Sequence, residues 1–172
     1  MFDFSPFGWV HLSGVAFSYI AAWFVFVFPK AGPHHKLWGK IYAVSMLLAA
    51  LSGFGMYEFN GGFNIFHFFS IVSIVSVSRG WWSIVQYQKT KSPRALANHY
   101  FNMCYSFMGL NLAALAQSLR IGSYSSLTDY VITVCLVYIP AVSFSVWLIQ
   151  SKLMPRMIRT IVMPSPREDP FP

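Results

Sequence analysis

Long uncharged runs, broken by short basic or glycine-containing segments, organise this chain. Five windows hold no Asp, Glu, Lys or Arg: Phe4–Phe28, Ile41–Tyr57, Phe59–Ser78, Ala95–Leu119 and Tyr130–Ser151. A membrane-spanning helix needs about 20 mostly apolar residues, a length that four of these windows reach directly. The second reaches it once the turns from Pro33 to Lys40 are added, with Lys36 and Lys40 extending to lipid headgroups. The pattern predicts an all-α fold, an integral membrane bundle of about five transmembrane helices. Residues 1–163 form one domain in this reading, and the proline-rich tail 164–172 is expected to be disordered or interfacial. The first run is expected to remain as a span, because only Asp3 and no basic region precedes it.

The breaks have their own chemistry. Helix one is predicted over Phe7–Phe28 and is followed by the basic turn that opens helix two, where Pro33 suits a first helical position. Helix two runs to about Tyr57, and a turn at Asn60-Gly61 leads into helix three, which ends near Ser83. A polar loop, Gln86–Ala95, precedes helix four, which starts near Ala97. The serine-rich link Gly122–Thr128 precedes helix five, which Pro140 is expected to kink. No internal sequence repeat is evident.

Composition sharpens the class. Of 172 residues 56% are hydrophobic and only 10% charged, against about 25% charged in soluble domains. Aromatic residues, 19% of the chain, include tryptophans and tyrosines near the ends of the apolar runs, as in the aromatic belts of bilayer interfaces. The formal charge of +7 sits in short loops beside apolar segments, so the partner it points to is the lipid bilayer and not nucleic acid. Helices alternate direction. The loops after helices one and three therefore share a side with the tail, and that side holds Lys30, Lys36, Lys40, Arg79, Lys89, Lys91, Arg94, Lys152, Arg156, Arg159 and Arg167. The other side holds only Arg120. This asymmetry places the N-terminus outside and the C-terminus in the cytoplasm. Cys104 and Cys135 fall toward opposite sides, too far apart to pair.

The candidate chemistry lies in histidines. His11 and His67 fall a few residues in from the outer surface, while His35 (beside His34) and His99 fall near the inner surface. At 1.5 Å per residue the two levels should lie roughly 20 Å apart. Small and polar residues share their faces: Gly8 and Gly14 with His11; Gly39, Tyr42, Met46, Ala49 and Gly53 with His35; Ser70 with His67; Asn102, Ser106, Gly109 and Ala113 with His99. Such stripes let helices or a flat cofactor approach the backbone. Two histidines from facing helices can ligate a heme iron axially, so two levels suit two hemes b and a path for electrons across the bilayer. Arg79, twelve residues beyond His67, could meet the propionates of an inner heme, with Arg94 and Lys36 as alternatives. The ordinary role of a lone interfacial histidine is a hydrogen bond to water, a headgroup or a carbonyl; the matched arrangement over four helices is what raises the cofactor reading. Two-residue levels do not make a closed four-ligand zinc site unless His34 and other groups join.

His35-Lys-Leu-Trp-Gly-Lys-Ile-Tyr42 resembles the His-[Lys/Arg]-x-x-Gly-[Lys/Arg]-x-Tyr signature of a bacterial membrane protein family, domain of unknown function twenty-three-oh-six. His99-Tyr-Phe-Asn-Met103, followed by Ser106-Phe107, is similar to that family's second histidine motif, and His67 and His11 match in position. The resemblance covers roughly Trp9–Arg120. It implies a multi-pass protein of the bacterial inner (cytoplasmic) membrane, and no particular activity. His34 departs from the pattern; the spacing to Gly39 and Tyr42 favours His35.

The functional expectation is a heme-binding electron carrier, not an enzyme by itself, with quinol or a membrane redox protein as its partner. The alternative is a cofactor-free subunit or assembly factor acting through helix–helix contacts, within a homo- or hetero-oligomer. A transporter is disfavoured by the absence of broken-helix pairs and intramembrane carboxylates.

Overall fold

The computed structural model describes residues 5–56, 65–121, 139–148 and 151. Within them the fold is all-α: four long helices, α1 (Pro6–Val27), α2 (Pro33–Gly53), α3 (Ile65–Thr90) and α4 (Pro93–Ile121), and a shorter α5 (Ile139–Leu148). The Asn60-Gly61 turn, the Gly122–Thr128 link, Cys135 and the tail lie outside the described residues, as do all five carboxylates of the chain.

Local chemistry sets the helix ends. Ser5 caps α1, its hydroxyl accepting from the Gly8 amide at 3.3 Å, and Pro6 takes the first helical position, where the N–H it lacks would be unpaired anyway. Pro33 and Pro93 open α2 and α4 in the same way. The third helix outruns its apolar window: it continues to Thr90 and not Ser83, because Gln86, Gln88 and Lys89 are good helix formers that need no lipid. It stops where Lys91 turns left-handed, φ 54°, with its amide donating to the Tyr87 carbonyl at 2.8 Å, which satisfies one orphan carbonyl of the last turn. Most of the predicted loop Gln86–Ala95 is therefore helical, and α4 begins at Pro93, before Ala97. Pro140, expected to kink the fifth helix, is the second described residue of α5.

α1 and α2 pair antiparallel as one hairpin and α3 and α4 as a second; α2 meets α3, and α1 meets α4. At Gly14 the backbones of α1 and α2 approach closely: an added Cβ would stand 2.9 Å from the Ala49 amide nitrogen and 3.0 Å from the Ser45 carbonyl oxygen. Ser18 and Ser45 hydrogen-bond at 2.9 Å beside it. Across the diagonal, α2 touches α4 through a Tyr42–Ser106 hydroxyl pair at 2.9 Å. The buried set is small or hydroxylated (Ser18, Ala21, Ala22, Ala43, Ser45, Ala49, Ser70, Ser106), around Tyr42, Met46, His67, Val77 and Leu110. Large apolar side chains face outward, among them Phe17, Trp23, Leu51 and Trp82, each more than half exposed. A soluble fold buries the second group and exposes the first; this inversion is what a bundle packed in lipid requires. Among the described residues two helical segments, Pro6–Val27 and Phe66–Thr90, are long and apolar enough to cross a membrane, with mean hydropathy 1.8 and 1.4.

Candidate functional site

Each hairpin carries a histidine near each of its ends, and His11, His35 and His99 reach across to backbone carbonyls of the neighbouring helix. On α1, His11 donates from Nδ1 to the Ala49 carbonyl of α2 at 2.8 Å. In return His35, on the first turn of α2, donates from Nδ1 to the Val25 carbonyl of α1 at 3.3 Å. In the second hairpin His99 of α4 donates from Nδ1 to the Gly80 carbonyl of α3 at 2.8 Å. A carbonyl only accepts, so each of these rings carries a proton on Nδ1, which in the neutral imidazole leaves Nε2 with a lone pair.

The ends separate clearly. His11 lies against Gly53, where an added Cβ would meet its ring at 3.6 Å and the Ser70 hydroxyl of α3 at 3.0 Å. His67, three residues before Ser70, is buried with its ring 5.8 Å from that of Phe54. His11 and His67 are thus both gathered around the Gly53–Phe54 end of α2. At the other end His35 and His99 lie within electrostatic reach of each other. From His35 to Ala49, the residue level with His11, α2 rises by about 21 Å. His34, by contrast, is exposed and stacked on Phe28 with ring centres 5.0 Å apart. The inward member of the pair is His35.

Space differs between the two ends. One turn beyond His35, a Cβ on Gly39 would meet nothing within 4 Å, so the backbone there is open to a flat group. Halfway between the levels lies the Tyr42–Ser106 pair. Ser106 donates its own hydrogen to the Met103 carbonyl at 2.8 Å, so the Tyr42 hydroxyl is the donor between them. Tyr42 and Ser106 each stand seven residues after the histidine of their helix, His35 and His99. The two hairpins therefore repeat one geometry although their sequences show no repeat. Spacing to the histidines could have signalled this pair, had the two motifs been aligned on each other.

Arg79 is exposed and lines a cleft of about 530 Å³ between α3 and α4, with Ser78, Trp82, Ser83, Asn98 and Asn102. It opens onto that cleft and not into the core at Val77. Arg94 is exposed at the start of α4 and Lys36 at the start of α2. Sequence reasoning counted Lys30 for topology alone and passed over it as a site residue. Its ammonium folds back onto the end of α1 and donates to the Val25 and Phe26 carbonyls at 2.7 and 3.3 Å. Burial pushes its pKa below the ordinary lysine value, and the nearby Cys104 partly offsets that. Cys104 is a free thiol. Among the described residues no three His, Cys, Asp or Glu side chains converge, so the arrangement offers histidines at two levels and no larger cluster.

No curated protein and no solved structure matches the chain. A family model matches residues 8–151; the match runs past the Trp9–Arg120 stretch that carries the histidine motifs and takes in α5, which the motif resemblance leaves out. The chain belongs to the family described as predicted membrane protein, DUF2306.

Proposed function

We propose that this protein is a multi-pass carrier that holds two hemes b, one between His11 and His67 and one between His35 and His99, and passes electrons across a bacterial inner membrane. The observation that carries this reading is the hydrogen bonding of Nδ1 of His11, His35 and His99 to backbone carbonyls, at 2.8, 3.3 and 2.8 Å. A metal-ligating histidine nearly always has its other ring nitrogen held in this way, which fixes the ring and raises the basicity of Nε2. A porphyrin supplies four ligands of its own, so two histidines per level are enough, and the open backbone at Gly39 suits a flat macrocycle. The hemes would supply the redox chemistry; the chain positions them and excludes water.

Five spans, with the N-terminus outside and the tail in the cytoplasm, accord with the basic-loop asymmetry. Quinol or a membrane redox protein is the proposed electron partner. Arg79 is a candidate for a carboxylate of the inner group, provided that group extends into the α3–α4 cleft.

An absorbance spectrum of the detergent-purified protein, expressed with ample heme, tests the reading. His11→Ala and His67→Ala should give matching spectra, each with about half the wild-type heme. His35→Ala and His99→Ala should form a second matching set, and His34→Ala should resemble wild type. A wild-type protein without a Soret band would sink the proposal. A cofactor-free subunit would then stand. In its favour is an apolar groove of about 610 Å³ on the outer face of α1 and α2, floored by Gly14 and walled by Trp9, Phe17, Val44 and Leu48, a shape that suits a partner helix.

A further inference from the structure

The turn between α1 and α2 brings Lys30 to the inner histidines. The backbone reverses at Ala31, φ 65°, and the Lys30 side chain runs back along α1 until Nζ meets the Val25 carbonyl at 2.7 Å and the Phe26 carbonyl at 3.3 Å. It also lies 5.7 Å from the centre of the Phe26 ring. On its own this is a lysine completing a helix C-terminus, a common and purely structural role. Two further observations exceed that role.

The first is a shared acceptor: the Val25 carbonyl that takes Nζ of Lys30 also takes Nδ1 of His35 at 3.3 Å. The ammonium and the imidazole therefore meet on one oxygen, and the cation, though exposed, stands beside the inner histidine level. Lys30 is within electrostatic reach of His35 and of Cys104 on α4, and His35 of His99. The second is the charge balance. All five carboxylates lie outside the described residues, so among those residues no acidic side chain neutralises this ammonium.

We propose that Lys30 binds a carboxylate of the group held between His35 and His99, so that the inner site recognises a planar ligand bearing a carboxylate at its edge. The proposal deepens the heme reading above and rests on it. An ammonium has three N–H donors; two go to Val25 and Phe26, and the third is left for a carboxylate oxygen. Heme carries propionates at one edge, so iron on His35 and His99 with a propionate on Lys30 would fix the rotation of the macrocycle. Lys30, Lys36, Arg79 and Arg94 are all exposed, but Lys30 shares the Val25 carbonyl with His35, so it is better placed than the cations the sequence suggests.

The test uses the full-length protein in detergent, stripped of cofactor, in a His11→Ala background that leaves only the inner site. Hemin and hemin dimethyl ester, which lacks the free carboxylates, are titrated in parallel, following the Soret band and the helical circular dichroism. The parent should prefer hemin by about tenfold or more, the worth of one charge-assisted hydrogen bond. Lys30→Gln keeps a donor for the α1 carbonyls but loses the charge; it should bind both ligands equally with helicity unchanged. Lys30→Arg should restore the preference, and Arg79→Gln should retain it. Parental preference in Lys30→Gln, or its loss in Arg79→Gln alone, would overturn the assignment while leaving the heme reading intact. Failure of the wild-type protein to take up either ligand would remove both.

Discussion

Gly14→Ala asks whether the α1–α2 hairpin is held at backbone contact. The added methyl would lie 2.9 Å from the Ala49 nitrogen, 3.0 Å from the Ser45 oxygen and 3.1 Å from the Ala49 Cα. Ordinary carbon contacts are about 3.5–4.0 Å, so the helices must part locally by roughly 0.5–1 Å. The obstructing atoms are all backbone, and no side-chain rotation relieves the clash. Overpacking of this kind costs about 1–3 kcal/mol. Separation would also stretch the His11–Ala49 bond at 2.8 Å and the Ser18–Ser45 bond at 2.9 Å, each worth about 0.5–1.5 kcal/mol. Against this, alanine is favoured over glycine within a helix by about 1 kcal/mol. The net expectation is a destabilisation of about 1–3 kcal/mol. Gly39→Ala, measured like Gly14→Ala on protein stripped of cofactor, is the matched control: it meets nothing within 4 Å, so the propensity gain of about 1 kcal/mol stands alone. Both variants are measured by equilibrium unfolding in mixed detergent and SDS, followed by circular dichroism. One substitution on two neighbouring helices should give opposite signs. A Gly14→Ala protein as stable as Gly39→Ala would refute the close packing.

Two other measurements bear on the bundle. Reporter fusions after Phe28, after Lys91 and at the C-terminus should report cytoplasm, and fusions near Gly61 and Ser125 the outside; a cytoplasmic signal at Gly61 would overturn the five-span topology. Tyr42→Phe and Ser106→Ala should each destabilise by about 0.5–1.5 kcal/mol, and the double variant by less than their sum, because the two hydroxyls form one hydrogen bond; strict additivity in the double-mutant cycle would mean the contact contributes nothing.

The helical class, the membrane setting and the placement of histidines near helix ends are legible in the order of residues alone, because hydropathy and capping act over one or two turns. The prolines that open α1, α2 and α4 are of this local kind. Where a helix leaves the lipid, the local signal is weaker: polarity after Ser83 suggests a loop, yet glutamine and lysine propagate a helix in water as well as leucine does in lipid. Between His34 and His35 the choice turns on packing, since adjacent residues differ by a rotation whose meaning depends on where the next helix stands. The Ala49, Val25 and Gly80 carbonyls that hold the histidine rings, the closeness of Lys30 to His35, and the Tyr42–Ser106 bond 64 residues apart all depend on the register between helices. That register is set by contacts such as Gly14 against Ala49, where two backbones touch, and such contacts exist only once the helices have packed.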